Sequence, residues 1–225
     1  MPAVLLGVPP SSVQRSDRLT RTALGVALGS ALLGVGLGAL HRVGGYRVET
    51  DFYVYYLPQA REIIDGPPLL RGLVHNPPGF ALLIGLGSKL LRDEFAAAKL
   101  LGALAAGAFV WVAFRLTQRS FGSSVALTVA LFLAIAVAPY SYLAATDVLG
   151  AFAMTAPVWW LVSRLRVGAP ECFVTGVMVG VAYLLRSNTI AMLPVLTLAI
   201  PYGFLRHQPR RLRWRAAGVP GLRGA

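Results

Sequence analysis

Apolar runs of near membrane-spanning length, closed by charged residues, constrain this chain more than any other feature. They cover 23–40, 95–114, 125–140, 143–165, 172–185 and 189–205, and arginines gather at their ends. A helix needs about 20 apolar residues to cross a hydrocarbon core, and a lipid-exposed backbone must satisfy its own hydrogen bonds. Runs of this length therefore read as spanning helices. Composition agrees: 56% of the 225 residues are hydrophobic, 13% are charged, and the mean hydropathy is +0.65. The expected fold is all-α, a polytopic transmembrane helix bundle of about six spans, with little chain left for a soluble module.

The formal charge of +12 would suggest nucleic acid in a soluble protein. Here the arginines flank apolar segments, so the positive-inside rule explains them and no nucleic-acid partner is expected. The run 80–91, closed by Lys89, Arg92, Asp93 and Glu94, is too short to span and is expected to rest in the interface or re-enter. With it counted as non-crossing, Arg15, Arg18, Arg21, Arg115, Arg119, Arg164, Arg166 and the 206–215 cluster share the cytoplasmic side. Seven of the nine acids, Glu49, Asp51, Glu62, Asp65, Asp93, Glu94 and Asp147, then lie at or near the outer face.

The resulting organisation is a cytoplasmic N-terminus (1–22), a transmembrane module (23–205) with a large first outer loop and interfacial helices (41–94), and a basic cytoplasmic tail (206–225) able to meet anionic headgroups. The 23–40 run is long and lacks a small-x-small cleavage site before His41-Arg42, so it reads as a retained helix rather than a signal peptide. Gly25/Gly29, Gly34/Gly38 and Gly176/Gly180 are spaced for close helix approach. The single Cys172 excludes an intramolecular disulfide and offers no metal cluster.

Chemistry is expected in the polar stretch 49–79, ETDFYVYYLPQAREIIDGPPLLRGLVHNPPG, which carries four of the nine acids, two Pro-Pro pairs and a histidine. Asp51 opens a segment that Ala60, Ile63 and Ile64 mark as helical and Gly66 stops; it reads equally as an N-cap or as a general base at an outward cavity. Asp147 opens an apolar helix, either as a cap or as a group that binds a cation, a sugar hydroxyl or the acceptor. Arg186, standing alone between two apolar runs, is a snorkelling arginine or a clamp for phosphate. Tyr53, Tyr55 and Tyr56 suit an interfacial belt, with sugar stacking as the functional alternative. His75, just before Asn76 and Pro77-Pro78, is a candidate binding group, though a lone loop histidine is more often solvated. No P-loop, GxGxxG, CxxC or HExxH pattern occurs.

Asp51, Tyr55, Ala60-Arg61 and Gly66, followed by NPPGFALLIGLGSKLLRDEFAAAKLLGAL, TDVLGAF and GVMVGVAYLLRSNTIAMLPV, resemble the N-terminal part of GT-C glycosyltransferases. That superfamily includes protein O-mannosyltransferases, the aminoarabinose transferase of lipid A and polyprenol-phosphate-dependent mannosyl- and arabinosyltransferases. The similarity covers roughly 23–205. It implies a catalytic base at Asp51, a second acid near the donor or a metal at Asp147, and a basic group near phosphate at Arg186. The pattern departs where relatives often carry Asp-Glu: here Phe52 follows Asp51, and Glu49 is the only adjacent acid. Relatives run much longer, so a truncated or split enzyme is the expectation.

The function expected is inverting transfer of a sugar from a polyprenyl-phosphate donor to an extracytoplasmic lipid, glycan or protein. Asp51 is catalytic; Asp147, Arg186, Tyr55 and His75 bind substrate; and a divalent cation at Asp147 is the one cofactor left open. The expected setting is a bacterial inner or plasma membrane, with both termini cytoplasmic and membrane lipids as partners. A transporter or flippase is the main rival, although mid-membrane polar groups and repeated halves are not evident. A non-catalytic membrane subunit is the third reading.

Overall fold

The computed structural model describes residues 10–41, 49–65, 77–164 and 168–191. Among these no strand occurs. The α-helices are α1 (Pro10–Leu40), α2 (Leu57–Asp65), α3 (Gly79–Leu91), α4 (Glu94–Phe121), α5 (Ser123–Val137), α6 (Asp147–Ser163) and α7 (Ala169–Leu185). A π-helical turn, Phe52–Tyr56, leads into α2, and 3-10 turns extend α5 over Ala138–Tyr140 and follow α7 over Ser187–Ala191. The chain is an all-α membrane bundle.

Among the described residues, three segments are long and apolar enough to cross a membrane: Gln14–Leu40, Glu94–Phe121 and Ser123–Tyr140. Helices α6 and α7 have 17 residues each, about 25 Å at 1.5 Å per residue. Most of the expected span at 189–205, and the tail at 206–225, lie outside the described residues. Helix α1 begins at Pro10, so Arg15, Arg18 and Arg21 ride on its first turns rather than on an extended N-terminus. Proline suits a first helical position, where its missing N–H has no intrahelical partner to lose.

Helix α4 is the central post. Half of its most apolar stretch is buried, against 28% for α1 and 17% for α5, and α1, α3, α5 and α6 pack against it. Alanine and glycine make that approach possible. A β-carbon at Gly107 would lie 2.7 Å from the Ala27 carbonyl oxygen, and one at Gly34 would lie 2.9 Å from the Ala103 β-carbon. Without a hydrophobic drive between helices in lipid, this close backbone packing is what holds them. The glycine spacing on α1 was only half informative: Gly34 and Gly38 face α4, whereas Gly25 and Gly29 have no such neighbour within 4 Å among the described residues. The same is true of Gly176 and Gly180 on α7.

The pairing fixes direction. Near one end of the bundle, Gln118 Nε2 donates to Thr20 Oγ1 at 3.1 Å and to Ser123 Oγ at 3.0 Å, joining α1, α4 and α5. This basic end carries Arg15, Arg18, Arg21, Arg115, Arg119 and Arg164; Arg164 lies over the Trp160 ring at 3.5 Å and Arg115 over Trp111 at 5.6 Å. At the opposite end, Lys99 Nζ donates to the carbonyls of Gly38, at 3.2 Å, and His41, at 2.7 Å. A lysine there satisfies carbonyls that the last turn of α1 leaves open.

That opposite end is the mouth, and α3 lies across it. Gly79 meets the last turn of α7, where a β-carbon would come within 2.6 Å of the Leu184 carbonyl oxygen, while Gly87 meets Ala97 on the first turn of α4. At 13 residues, about 20 Å, α3 is too short to span, as its sequence suggested. Arg92 ends it in the left-handed region, φ 58°, and Asp93 restarts the chain, its Oδ1 accepting from Phe95 N at 2.8 Å and Ala96 N at 3.1 Å.

The α1–α4 contact sets one expectation. Gly107→Ala should lower the stability of the detergent-solubilised protein by about 1–3 kcal/mol, the range for overpacking, whereas Gly25→Ala should change it by less than about 0.5 kcal/mol. Thermal unfolding followed by circular dichroism compares the two; equal melting temperatures would rule out this packing register.

Candidate active site

The mouth is floored by a core of apolar side chains from four directions. Phe52, Tyr56, Leu57 and Ala60 come from the π-turn and α2; Phe80, Ala81 and Ile84 from α3; Ala98, Ala105 and Ala106 from α4; and Val148 and Leu149 from α6. The π-turn closes with the Leu57 N–H donating to the Phe52 carbonyl, five residues back. Its position is intelligible from Pro58: a proline ring crowds the carbonyl four residues earlier, and a wider turn relieves that contact. The widening also redirects side chains. Tyr56 is buried at 7% exposure and packs edge-on against Phe80 at 5.0 Å, while Tyr55 is 43% exposed.

Neither candidate acid is consumed as a helix cap. Asp51 sits in right-handed helical backbone, φ −63° and ψ −33°, and its side chain makes no capping hydrogen bond. Asp147 is the first residue of α6, and its carboxylate is engaged instead by Arg186: Nη1 of Arg186 donates to Asp147 Oδ1 and also lies 3.4 Å from Thr146 Oγ1. Asp93 shows what a capping aspartate looks like in this chain, with extended backbone and two accepted amide bonds.

Arg186 is delivered by the end of α7, where the backbone turns extended at φ −156° and ψ 121°. Its side chain then runs over Gly150, one turn into α6, and a β-carbon there would fall 2.8 Å from Arg186 Cδ. Glycine at 150 thus opens the lane by which the guanidinium reaches Asp147. The pair is partly wet, with side-chain exposures of 30% for Arg186 and 55% for Asp147. Such a pair contributes little to stability but leaves both groups reachable from the mouth.

Tyr56 ties the separate pieces together. Its phenol lies close enough to Thr146 for that hydroxyl to act on it. Burial pushes the phenol above its ordinary range, the carboxylates of Asp51 and Asp147 push it the same way, and the Thr146 hydroxyl and the Arg186 charge oppose them. One phenol thus senses Asp51 from the first loop, Asp147 from α6 and Arg186 from α7. Arg186 and Asp147 are paired at the mouth, and Asp51 stands at the start of the turn that carries Tyr56. Tyr56 and Thr146 belong to this cluster and were not singled out as binding groups; the Pro58-induced turn was the available sign that position 56, rather than 55, faces inward. His75 lies outside the described residues.

The donor set among the described residues does not fit a protein-held metal ion. Among the described residues no group of three His, Cys, Asp or Glu side chains comes together, and the Asp147 carboxylate faces a guanidinium that competes with any cation.

A family model for dolichyl-phosphate-mannose-protein mannosyltransferases matches residues 75–220, more than half of the chain. The chain belongs to this family. No curated protein and no solved structure matches it. Membership makes it a membrane glycosyltransferase of mannosyltransferase type, in keeping with the GT-C resemblance. The matched region of this mannosyltransferase-family chain contains Asp147, Gly150 and Arg186; Asp51, Tyr55 and Tyr56 precede it.

Gly150→Ala offers a test of the lane. Because the group it meets is a flexible side chain, the melting temperature should barely move, whereas sugar transfer should fall about tenfold or more as the guanidinium is displaced. Undiminished transfer would mean that Arg186 does not act from this position.

Proposed function

We propose that this chain transfers a sugar, with mannose as the first candidate, from a polyprenyl-phosphate donor to a hydroxyl of an acceptor at the mouth of the bundle. The donor's prenyl chain stays in the bilayer and its phosphate comes to Arg186, whose planar fork suits phosphate oxygens better than a point charge would. Asp51 accepts the proton of the attacking hydroxyl. The new bond forms between that oxygen and the anomeric carbon as the bond from that carbon to the phosphate breaks on the opposite face, inverting the centre. The negative charge collecting on the departing phosphate is met by the guanidinium. Asp147 holds Arg186 at the mouth before the donor arrives.

The observation that supports this reading best is the Asp147–Arg186 pair at the mouth, with Asp51 at the start of the turn that carries the buried Tyr56. A base on one side and a phosphate-binding cation on the other is the pair of groups that a displacement at a sugar phosphate needs. Arginines at the opposite end favour a cytoplasmic placement for it, which makes the mouth extracytoplasmic and brings a flipped lipid-linked donor to the right face. Tyr55, exposed beside the buried Tyr56, is available to stack on a sugar or acceptor.

The reading is tested by transfer of labelled mannose from dolichyl-phosphate mannose to a serine- and threonine-containing peptide by purified protein. Asp51→Asn should lower kcat by about 10²–10⁴-fold, the range for loss of a general base. Arg186→Lys should retain part of the rate and raise the donor KM. Activity that survives Asp51→Asn would remove the base assignment, and proteoliposome uptake of the lipid without transfer would favour a flippase.

A further inference from the structure

Glu49 is the most deeply buried acid among the described residues, and the reaction outlined above does not use it. Its side chain has no exposure. Oε1 accepts a hydrogen bond from the Ala144 amide at 2.7 Å, in the 141–146 linker three residues before Asp147. Oε2 faces His41 Nε2 at 3.6 Å, and neither atom has a hydrogen-bond partner among the described residues. Burying a carboxylate is costly, so its place between two segments calls for a reason beyond packing.

The surroundings of Glu49 supply one. Its own carbonyl accepts from Phe52 N at 3.0 Å and Tyr53 N at 3.2 Å, starting the turn that carries Asp51 and Tyr56. Its carboxylate reaches 95 residues along the chain to the linker that carries Thr146 and leads into Asp147. His41, opposite Oε2, is held in turn: Lys99 Nζ binds its carbonyl at 2.7 Å, and its ring meets Tyr142 edge-on at 5.3 Å. Tyr53, on the other side, feels the Glu49 charge. One side chain therefore bridges the two segments whose residues form the site, and the end of α1 backs it.

We infer that Glu49 is a positioning residue, a latch whose carboxylate fixes the Asp51 turn against the linker that leads into Asp147. The latch rests on the proposed transferase reading, because it acts through Asp51. A short polar acceptor is what the Ala144 amide requires; glutamine retains it, while alanine removes it and aspartate is one methylene too short to reach.

Two measurements test the latch. In the first, Cys172→Ser provides a cysteine-free chain, and spin labels at Val54→Cys and Ala145→Cys report the distance between the two segments. The distribution should be narrow in the parent and in Glu49→Gln, and should broaden in Glu49→Ala and Glu49→Asp. An unchanged distribution in both of these overturns the latch whatever the enzyme does, and the aspartate variant decides if the alanine protein does not fold. In the second, mannose transfer should fall more than tenfold in kcat in Glu49→Ala or Glu49→Asp and stay within about threefold in Glu49→Gln. In an Asp51→Asn background the same changes should cost less than about threefold more. Full additivity would show a general structural effect and overturn the positioning role alone. Full activity of Asp51→Asn itself would remove the base assignment and the latch together.

Discussion

The ion pair between Asp147 and Arg186 is the interaction on which the rest of the mouth depends. It joins the first residue of α6 to the residue that ends α7, and it draws a guanidinium to the rim of a largely apolar bundle. A charge at such a boundary has few stable arrangements: it snorkels to water, pairs, or binds a ligand. Here it pairs, at a site open enough for a phosphate to compete. Gly150 leaves room for the side chain, Thr146 lies beside it, and Tyr56 senses its charge from across the mouth.

Those contacts rest on a closely packed scaffold. Helix α4 is enclosed by neighbours that approach through alanine and glycine, so helix axes are set by backbone contact rather than by long, adaptable side chains. The α3 helix, seated on α7 through Gly79 and on α4 through Gly87, closes one side of the mouth. Phe52, Phe80 and Tyr56 fill the space below, with Phe52 against Phe95 at 4.7 Å. In this arrangement a π-turn forced by one proline decides which tyrosine enters the site.

Much of this architecture was legible in the sequence because hydropathy and charge report directly on solvent. The apolar runs that lie within the described residues became helices, the 80–91 run stayed too short to span, and Asp51, Asp147 and Arg186 fell at one end. Hydropathy does not report which face of a helix acquires a neighbour. For that reason Gly34 and Gly25 looked alike on α1 yet differ in the structure, and Glu49 looked like one more loop acid yet is buried. The α6 helix begins at Asp147 rather than near 143 because the linker turns through Ser141, whose N–H binds the Val137 carbonyl at 3.0 Å, and because Glu49 holds the Ala144 amide. The Glu49–Ala144 pairing spans 95 residues and leaves no local pattern.

The central claim is that Asp147 and Arg186 act as one unit within a single site shared with Asp51. A double-mutant cycle on kcat/KM for mannose transfer, with Asp147→Asn, Arg186→Gln and both together, tests it most directly. Residues that act as a unit are non-additive, so the second substitution should cost little once the first is made, with a coupling of about 1 kcal/mol or more. Effects that add to within about 0.5 kcal/mol would contradict the account and return the two residues to separate helix ends.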